Sequence, residues 1–360
     1  MPVVDDIRRV AAKIACAAPP GPGACRGWGY RHLEAIRRHC LGPWLYKSLR
    51  MHPSAGLSSA LEESLHEDYR ASAVTCMSGE VFLKRLLDRF NARQIPVLLL
   101  KGAYLGTFVY KDPALRPMSD VDLLVRPEDF DRSRQELVEL GYGFEQGRDE
   151  EYSRLWELPV VYTKQGHRSH IVDLHSSLRS MDYYLFPSSA LWNDAVSGEL
   201  HGRKVFYLSP EMNFIHLCVH NLNHADLLRD WIDLLLFLGT VGPDWNRLLE
   251  RGRLVGALRP LFWIFCDLKA HWNFSPPSPV TSQLASYVPH RLEDRVIRHR
   301  FRYGWRLYAR LKSLDGWGSR LRYLRLKLVP WVPDGSACHE LPWWSYLRDR
   351  LGLFLHFWKR

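Results

Sequence analysis

Two aspartates one residue apart, Asp120 and Asp122, open an apolar run in the stretch RPMSDVDLLVRPEDF. In a strand the side chains of residues i and i+2 leave the same face, so both carboxylates point one way. Like charges held that close repel unless something positive stands between them, and a divalent cation is the simplest such group. A third acid, Asp173, is embedded in another β-patterned run, HIVDLHSSL. Three carboxylates on adjacent strands of one sheet can hold two Mg²⁺ ions, completed by water and phosphate oxygens, and such a site suits phosphoryl transfer. Upstream, LLLKGAYL places Lys101, Gly102 and Ala103 at a strand-to-helix turn. A glycine there lets the backbone come close, and the free N–H groups of the turn suit a triphosphate.

Arg116 precedes a proline beside the acids and is a candidate phosphate contact, against the plainer role of a surface loop arginine. Ser119 reads first as a local hydrogen-bonding residue of its turn. Asp-x-Asp alone also occurs at solvated strand ends; its conjunction with Lys101, Gly102 and Asp173 favours a site.

Other polar groups read as structural. His216, His220 and His224 fall at i, i+4 and i+8 of a predicted helix. At helical rise the outer two stand about 12 Å apart, so the three do not share one ion. No glutamate lies between them as a metalloprotease motif requires, and no His-Asp dipeptide of the HD phosphohydrolase type occurs in the chain. The stripe faces the cleft or packs on the segment DWIDLL. Arg229 and Asp233 are spaced to pair along one helix. His175 shares a strand face with Asp173 and reads as a group supporting the ligands from behind.

The elements that position these residues are legible in outline. Residues 1 to about 95 read as helical, with Leu83, Leu86, Leu87 and Phe90 at helical spacing and a loop at PPGPGACRGWGY. From Ile95 the texture becomes strand IPVLLL, helix KGAYLGTFVY, strand VDLLV and helix PEDFDRSRQELVELGY, the last entered at Pro127 and left at Gly141. LPVVYTKQ and SHIVDLHSSL form a hairpin that widens the sheet, and helices return after KVFYLSP. The expected class is α+β: an α/β-like core with a mixed sheet, flanked by helical N- and C-terminal regions. The expected division is a helical region 1–78, a core 79–209, a helical unit 210–285 packing on the core, and a basic aromatic region 286–360.

Across 360 residues, 46% hydrophobic and 24% charged residues describe a folded chain rather than a disordered one. The N-terminus lacks the basic and long apolar segments of a secretory signal, and no apolar run is long enough to span a bilayer, so a cytoplasmic protein is expected. Seven cysteines without a C-x-x-C pair point to neither a zinc knuckle nor a disulfide framework. From Arg291 onward 16 Lys and Arg face 6 Asp and Glu, which accounts for the whole net charge of +10. Three roles compete for this tail: a nucleic-acid surface, a peripheral membrane or anionic-surface contact, and a solvated face over a helical core. The last is commonest. Between the first two, the Trp-rich ends PWWSYL and LFLHFWKR favour the membrane, and no nucleic-acid motif appears.

The run from IPVLLLKGAYL through SDVDLLV, with IVDLHSSL and HLCVHNLNHADLLRDWIDLLLFL downstream, resembles the large, mostly uncharacterised group of bacterial nucleotidyltransferases in the polymerase-beta-like superfamily. The resemblance covers roughly residues 78–239. It implies transfer of a nucleoside monophosphate from an NTP, by default ATP, to a hydroxyl of a small molecule, peptide or protein. By the same resemblance Gly102 lies at the phosphate turn, Asp120 and Asp122 ligate both metals (Mg²⁺ or Mn²⁺), and Asp173 is the third ligand and activates the acceptor. The superfamily commonly has Gly-Ser or Gly-Gly at the turn; here the sequence is Lys-Gly-Ala, so Lys101 takes the place of a hydroxyl as a cationic phosphate contact. The rival expectations are a catalytically inactive nucleotide- or partner-binding scaffold and a nucleic-acid-modifying enzyme anchored by the basic tail.

Overall fold

The computed structural model describes residues 2–144, 160–164, 167–180, 184–186, 188–224, 227–287, 317–318 and 320–321. Helices α1 (Pro2–Ala15), α2 (Tyr30–Arg38) and α3 (Gly42–Arg50) lead into α4 (Ser59–Ala92), a helix of 34 residues. Ser58 caps α4 by accepting a hydrogen bond from the Leu61 N–H. The helix runs uninterrupted through residue 78. Its second half buries Phe82, Leu83, Leu86, Leu87 and Phe90, the stripe expected from their spacing. That half also meets the sheet through polar contacts, with Asp88 paired to Arg203 and Asn91 bonded to the backbone of Lys204.

Chain alternation then builds the core. Strand β1 (Val97–Leu99) turns at once into a single α-helical turn, α5 (Lys101–Tyr104), which widens into a π-helical turn over Leu105–Val109. Strand β2 (Val121–Val125) follows, then α6 (Phe130–Glu139), entered through Pro127 and left at Gly141, whose φ of +83° is the left-handed turn that glycine supplies without a steric penalty. Strands β3 (Tyr142–Phe144), β4 (Val160–Lys164) and β5 (His167–His175) come next. A separate small ribbon pairs β6 (Leu178–Ser180) with β7 (Tyr184–Phe186), and β8 (Val196–Leu200) and β9 (Arg203–Tyr207) complete the main sheet.

The seven strands run in the order β3-β4-β5-β2-β1-β9-β8. β4 and β5 are antiparallel, as the hairpin expectation requires, while β5 lies parallel to β2 and β9 parallel to β1. The sheet is therefore mixed, and the fold is α+β. Its central strands carry Leu98, Leu99, Leu123, Val125, Val172 and Leu174, each 1% exposed or less. The downstream helices Pro210–His224, Leu228–Thr240, Trp245–Leu254 and Leu258–His271 pack on one another through Phe214, Phe237, Leu248, Leu261 and Phe265. Tyr104 joins this layer to the sheet by touching both Tyr207 and Phe237.

No described helix is long and apolar enough to cross a membrane. Nearly all of the basic aromatic tail lies outside the described residues. Within its described part Trp317 is exposed, with the Arg320 guanidinium over its ring.

Candidate active site

The parallel register of β2 and β5 sets Asp122 directly beside Asp173 and Leu124 beside His175. Because side chains alternate along a strand, Asp122, Asp173 and His175 share one face, while Leu123 and Leu174 fill the other. Asp120 precedes the first paired residue of β2, outside the ladder, and its carboxylate accepts a hydrogen bond from Ser119. The serine thus takes the local role its position suggests.

Asp122 is the electrostatic centre. It is 3% exposed, and its Oδ1 accepts a hydrogen bond from Lys101 Nζ at 2.7 Å and stands 3.1 Å from His175 Nε2. Burial alone would raise its pKa, but the Lys101 charge and the His175 contact hold it well below the usual carboxylate range. Its neighbours shift the other way: burial and the Asp122 charge raise Asp120, and burial with both aspartates pushes Asp173 up to about 6. Lys101 is raised because the attraction of Asp122, reinforced by Asp120 and Asp173, outweighs desolvation. One lysine therefore serves three carboxylates, and the excess negative charge calls for a further cation. Lys101 reaches this position from a φ of +37°, a left-handed conformation that costs a non-glycine residue about 1–2 kcal/mol.

Asp122, Asp173 and His175 each offer a ligand atom within 4.8 Å of the others, so this trio can hold a metal ion. Asp120 stands outside that group, beside it rather than in it. The donors are hard oxygens and one imidazole, a set that fits a divalent cation.

Gly102 and Ala103 are buried under the Arg116–Ser119 loop. A Cβ on Gly102 would fall 2.6 Å from Met118 Sδ and 2.9 Å from Arg116 Nη1, so a side chain there would have to push these two side chains off the turn. Arg116 is 8% exposed. Its Nε and Nη2 donate to both carboxylate oxygens of Asp233 at 2.8–3.1 Å, and Tyr110 Oη donates to Asp233 Oδ1 at 2.7 Å. Nη1 is left facing the Gly102 turn. Arg116 is thus no surface loop residue: it clamps the loop to the Leu228–Thr240 helix and presents one nitrogen to the turn.

This arrangement corrects the expected pairing of Arg229 with Asp233. Arg229 instead bonds Asp230 and donates to the Pro117 carbonyl at 3.1 Å, bracing the same loop from a second point. Helical spacing permits the i, i+4 pair, but a planar guanidinium from another element meets the buried carboxylate bidentately and wins it.

Of the helical histidines, His216 is buried beside the site with Phe186 edge-on to its ring. Desolvation, then the Lys101 charge, depress its pKa to about 3, and its Nδ1 has no hydrogen-bond partner. The side chain of His224 lies outside the described residues. What sequence reasoning undervalued is His175. Its i+2 spacing from Asp173 placed it on the right face, but only the neighbouring strand shows that it touches Asp122.

The chain belongs to the uncharacterised nucleotidyltransferase family, whose model matches residues 30–273, so it is a nucleotidyltransferase. No curated protein matches it in sequence. Among solved structures, that of the antibiotic-resistance factor ANT(2'')-Ia in solution is 14% identical and covers 54% of this chain and 96% of its own, with a TM-score of 0.36. ANT(2'')-Ia crystallised with adenylyl-2''-tobramycin is 14% identical over 49% of this chain and 92% of its own, with a TM-score of 0.34. An antigenic nucleotidyltransferase-like protein from Paracoccidioides brasiliensis is 16% identical over 60% and 97%, also with a TM-score of 0.34.

Proposed function

We propose that this nucleotidyltransferase moves a nucleoside monophosphate from an NTP, with ATP the default donor, to a hydroxyl of a small molecule or of a peptide or protein. The observation that carries this reading is the in-register placement of Asp122 beside Asp173, with Lys101 reaching them from the Gly102 turn. Asp120, Asp122 and Asp173 are the metal-binding and catalytic carboxylates. Bound there, Mg²⁺ or Mn²⁺ would neutralise the triphosphate and favour the ionised acceptor hydroxyl, the chemistry of a two-metal site.

The chain's own groups supply the rest. Lys101, held between the carboxylates and the turn, contacts the phosphates and balances charge developing on the departing pyrophosphate. Gly102 and Ala103 offer the phosphates the backbone of their turn, Gly102 lying packed beneath Met118 and Arg116, and Ser119 holds Asp120 in place. Arg116 keeps the loop closed on that turn through Asp233 and offers Nη1 to a phosphate. Asp173, raised toward neutrality, is suited to take the proton of the acceptor hydroxyl as its oxygen attacks the α-phosphorus. A cytoplasmic location, with the basic tail touching an anionic surface, belongs to the same reading.

Calorimetric titration of MgATP and MgGTP into the wild type and into Asp120→Asn/Asp122→Asn tests it. Binding that requires Mg²⁺ and collapses in the variant supports the site and opens an acceptor screen. Equal binding by both proteins, or none by either, would leave a scaffold in place of a catalyst.

A further inference from the structure

We propose that His175 is itself a metal ligand, through Nε2, and that Asp122, Asp173 and His175 form a mixed oxygen–nitrogen site that binds Mn²⁺ more tightly than Mg²⁺. The inference rests on the preceding assignment of Asp122 and Asp173 as metal-binding carboxylates and goes beyond it in ligand and in ion.

Geometry makes the first argument. Two donors at right angles around an ion with bonds of about 2.1 Å lie about 3.0 Å apart. His175 Nε2 and Asp122 Oδ1 stand 3.1 Å apart, and Asp173 offers an oxygen within 4.8 Å of both. A histidine that merely oriented a ligand would ordinarily touch it from the side away from the ion. Here His175 and Asp173 leave the same face of the same strand, next to Asp122 on the adjoining one, so the imidazole stands among the carboxylates.

Charge makes the second. Asp122 Oδ1 already receives a cation, the Lys101 ammonium at 2.7 Å, and His175 approaches that same oxygen. The Lys101 ammonium and the imidazole are therefore both drawn to this one atom even without an ion. A metal ion bound beside Oδ1 would share that charge with Lys101, and His175 would bind it through Nε2 by giving up any proton held there, since a ligand nitrogen must be unprotonated.

Chemistry then selects the ion. Mg²⁺ prefers oxygen donors and keeps its waters, whereas imidazole suits first-row transition ions. Mn²⁺ accepts both donor types at near-octahedral geometry, so a site with one nitrogen among oxygens shifts preference toward it.

The test uses the full chain with Mn²⁺ as probe, in the presence of ATP, by pulsed electron paramagnetic resonance and by equilibrium Mn²⁺ titration. The expected result is a directly coordinated imidazole ¹⁴N signal on bound Mn²⁺ that disappears in His175→Gln. Mn²⁺ affinity should fall about 10-fold or more in that variant, the range for losing a ligand or its close support, and Mg²⁺ affinity should fall less. His216→Gln, beside the site, should keep the nitrogen signal. If Mn²⁺ binds, and Asp122→Asn abolishes binding, but the wild type shows no ¹⁴N coupling, His175 is not a ligand and the inference fails while the carboxylate site stands. Equal losses of Mn²⁺ and Mg²⁺ affinity in His175→Gln would overturn the ion preference. Failure of the wild type to bind Mn²⁺ would remove both assignments.

Discussion

The Arg116–Asp233 pair offers a prediction whose magnitude follows from its geometry. The two groups come from a loop and a helix 117 residues apart, both are nearly fully buried, and Tyr110 adds a fourth hydrogen bond to the same carboxylate. Breaking such a pair from one side leaves a charge in the interior with no counter-charge, which costs about 3–5 kcal/mol. Arg116→Met leaves Asp233 with only a phenol; Asp233→Leu strands the guanidinium and also frees Tyr110, for about 1 kcal/mol more. Replacing both removes the unpaired charge, so the double variant should be more stable than the sum of the singles predicts, with a coupling of about 2–3 kcal/mol. Urea denaturation followed by circular dichroism measures all four corners of the cycle. Singles that cost under about 1 kcal/mol, or a coupling under about 0.5 kcal/mol, would refute the reasoning, since both lie within the range of independent surface sites. If Arg116→Met were neutral for stability yet lowered nucleotide affinity, the arginine would be a phosphate contact and not a structural clamp.

Lys101→Met should weaken MgATP binding and lower the melting temperature, and added Mn²⁺ should stabilise this variant more than the wild type because an ion fills the place of the missing ammonium; thermal melts with and without Mn²⁺ decide it. Gly102→Ala should reduce nucleotide affinity at least about 10-fold by pushing Met118 and Arg116 off the turn, and Met118→Ala in the same chain should restore much of the loss on calorimetry. His216 and Asp173 make opposed contributions to acid stability. The folded-state pKa of His216, about 3, lies below its ordinary 6.5, so the unfolded chain binds the extra proton and stability falls by about 1.4 kcal/mol per pH unit as pH drops from 6.5 toward 3. That of Asp173, about 6, lies above 3.8, so protonation favours the folded state and stability rises as pH falls across that window. His216→Gln should therefore flatten the loss between pH 6 and 4 and Asp173→Asn should steepen it, as read from urea midpoints; parallel profiles for the two variants would contradict the assignment.

Much of this molecule is written in local periodicity. The short apolar runs at Val97–Leu99 and Val121–Val125, the helical stripe through Leu83 and Phe90, the Pro127 entry and the Gly141 exit each depend on residues within one element, and a reader of the sequence can place them. Asp122 and Asp173 stand out for the same reason, since an acid inside an apolar strand is conspicuous, and Asp120 is marked by its place two residues before Asp122, just outside the strand. What the sequence could not fix is which strand lies beside which, and therefore who meets whom. The parallel register of β2 and β5 puts His175 on Asp122 rather than merely near Asp173. The fold hands Asp233 to Arg116 instead of to Arg229 four residues away, and packs a glycine valued for conformational freedom beneath Met118 and Arg116. Spacing along the chain limits which groups can be neighbours within an element; long-range pairing, settled by the burial of whole faces and by the geometry of competing charged partners, decides which of them touch.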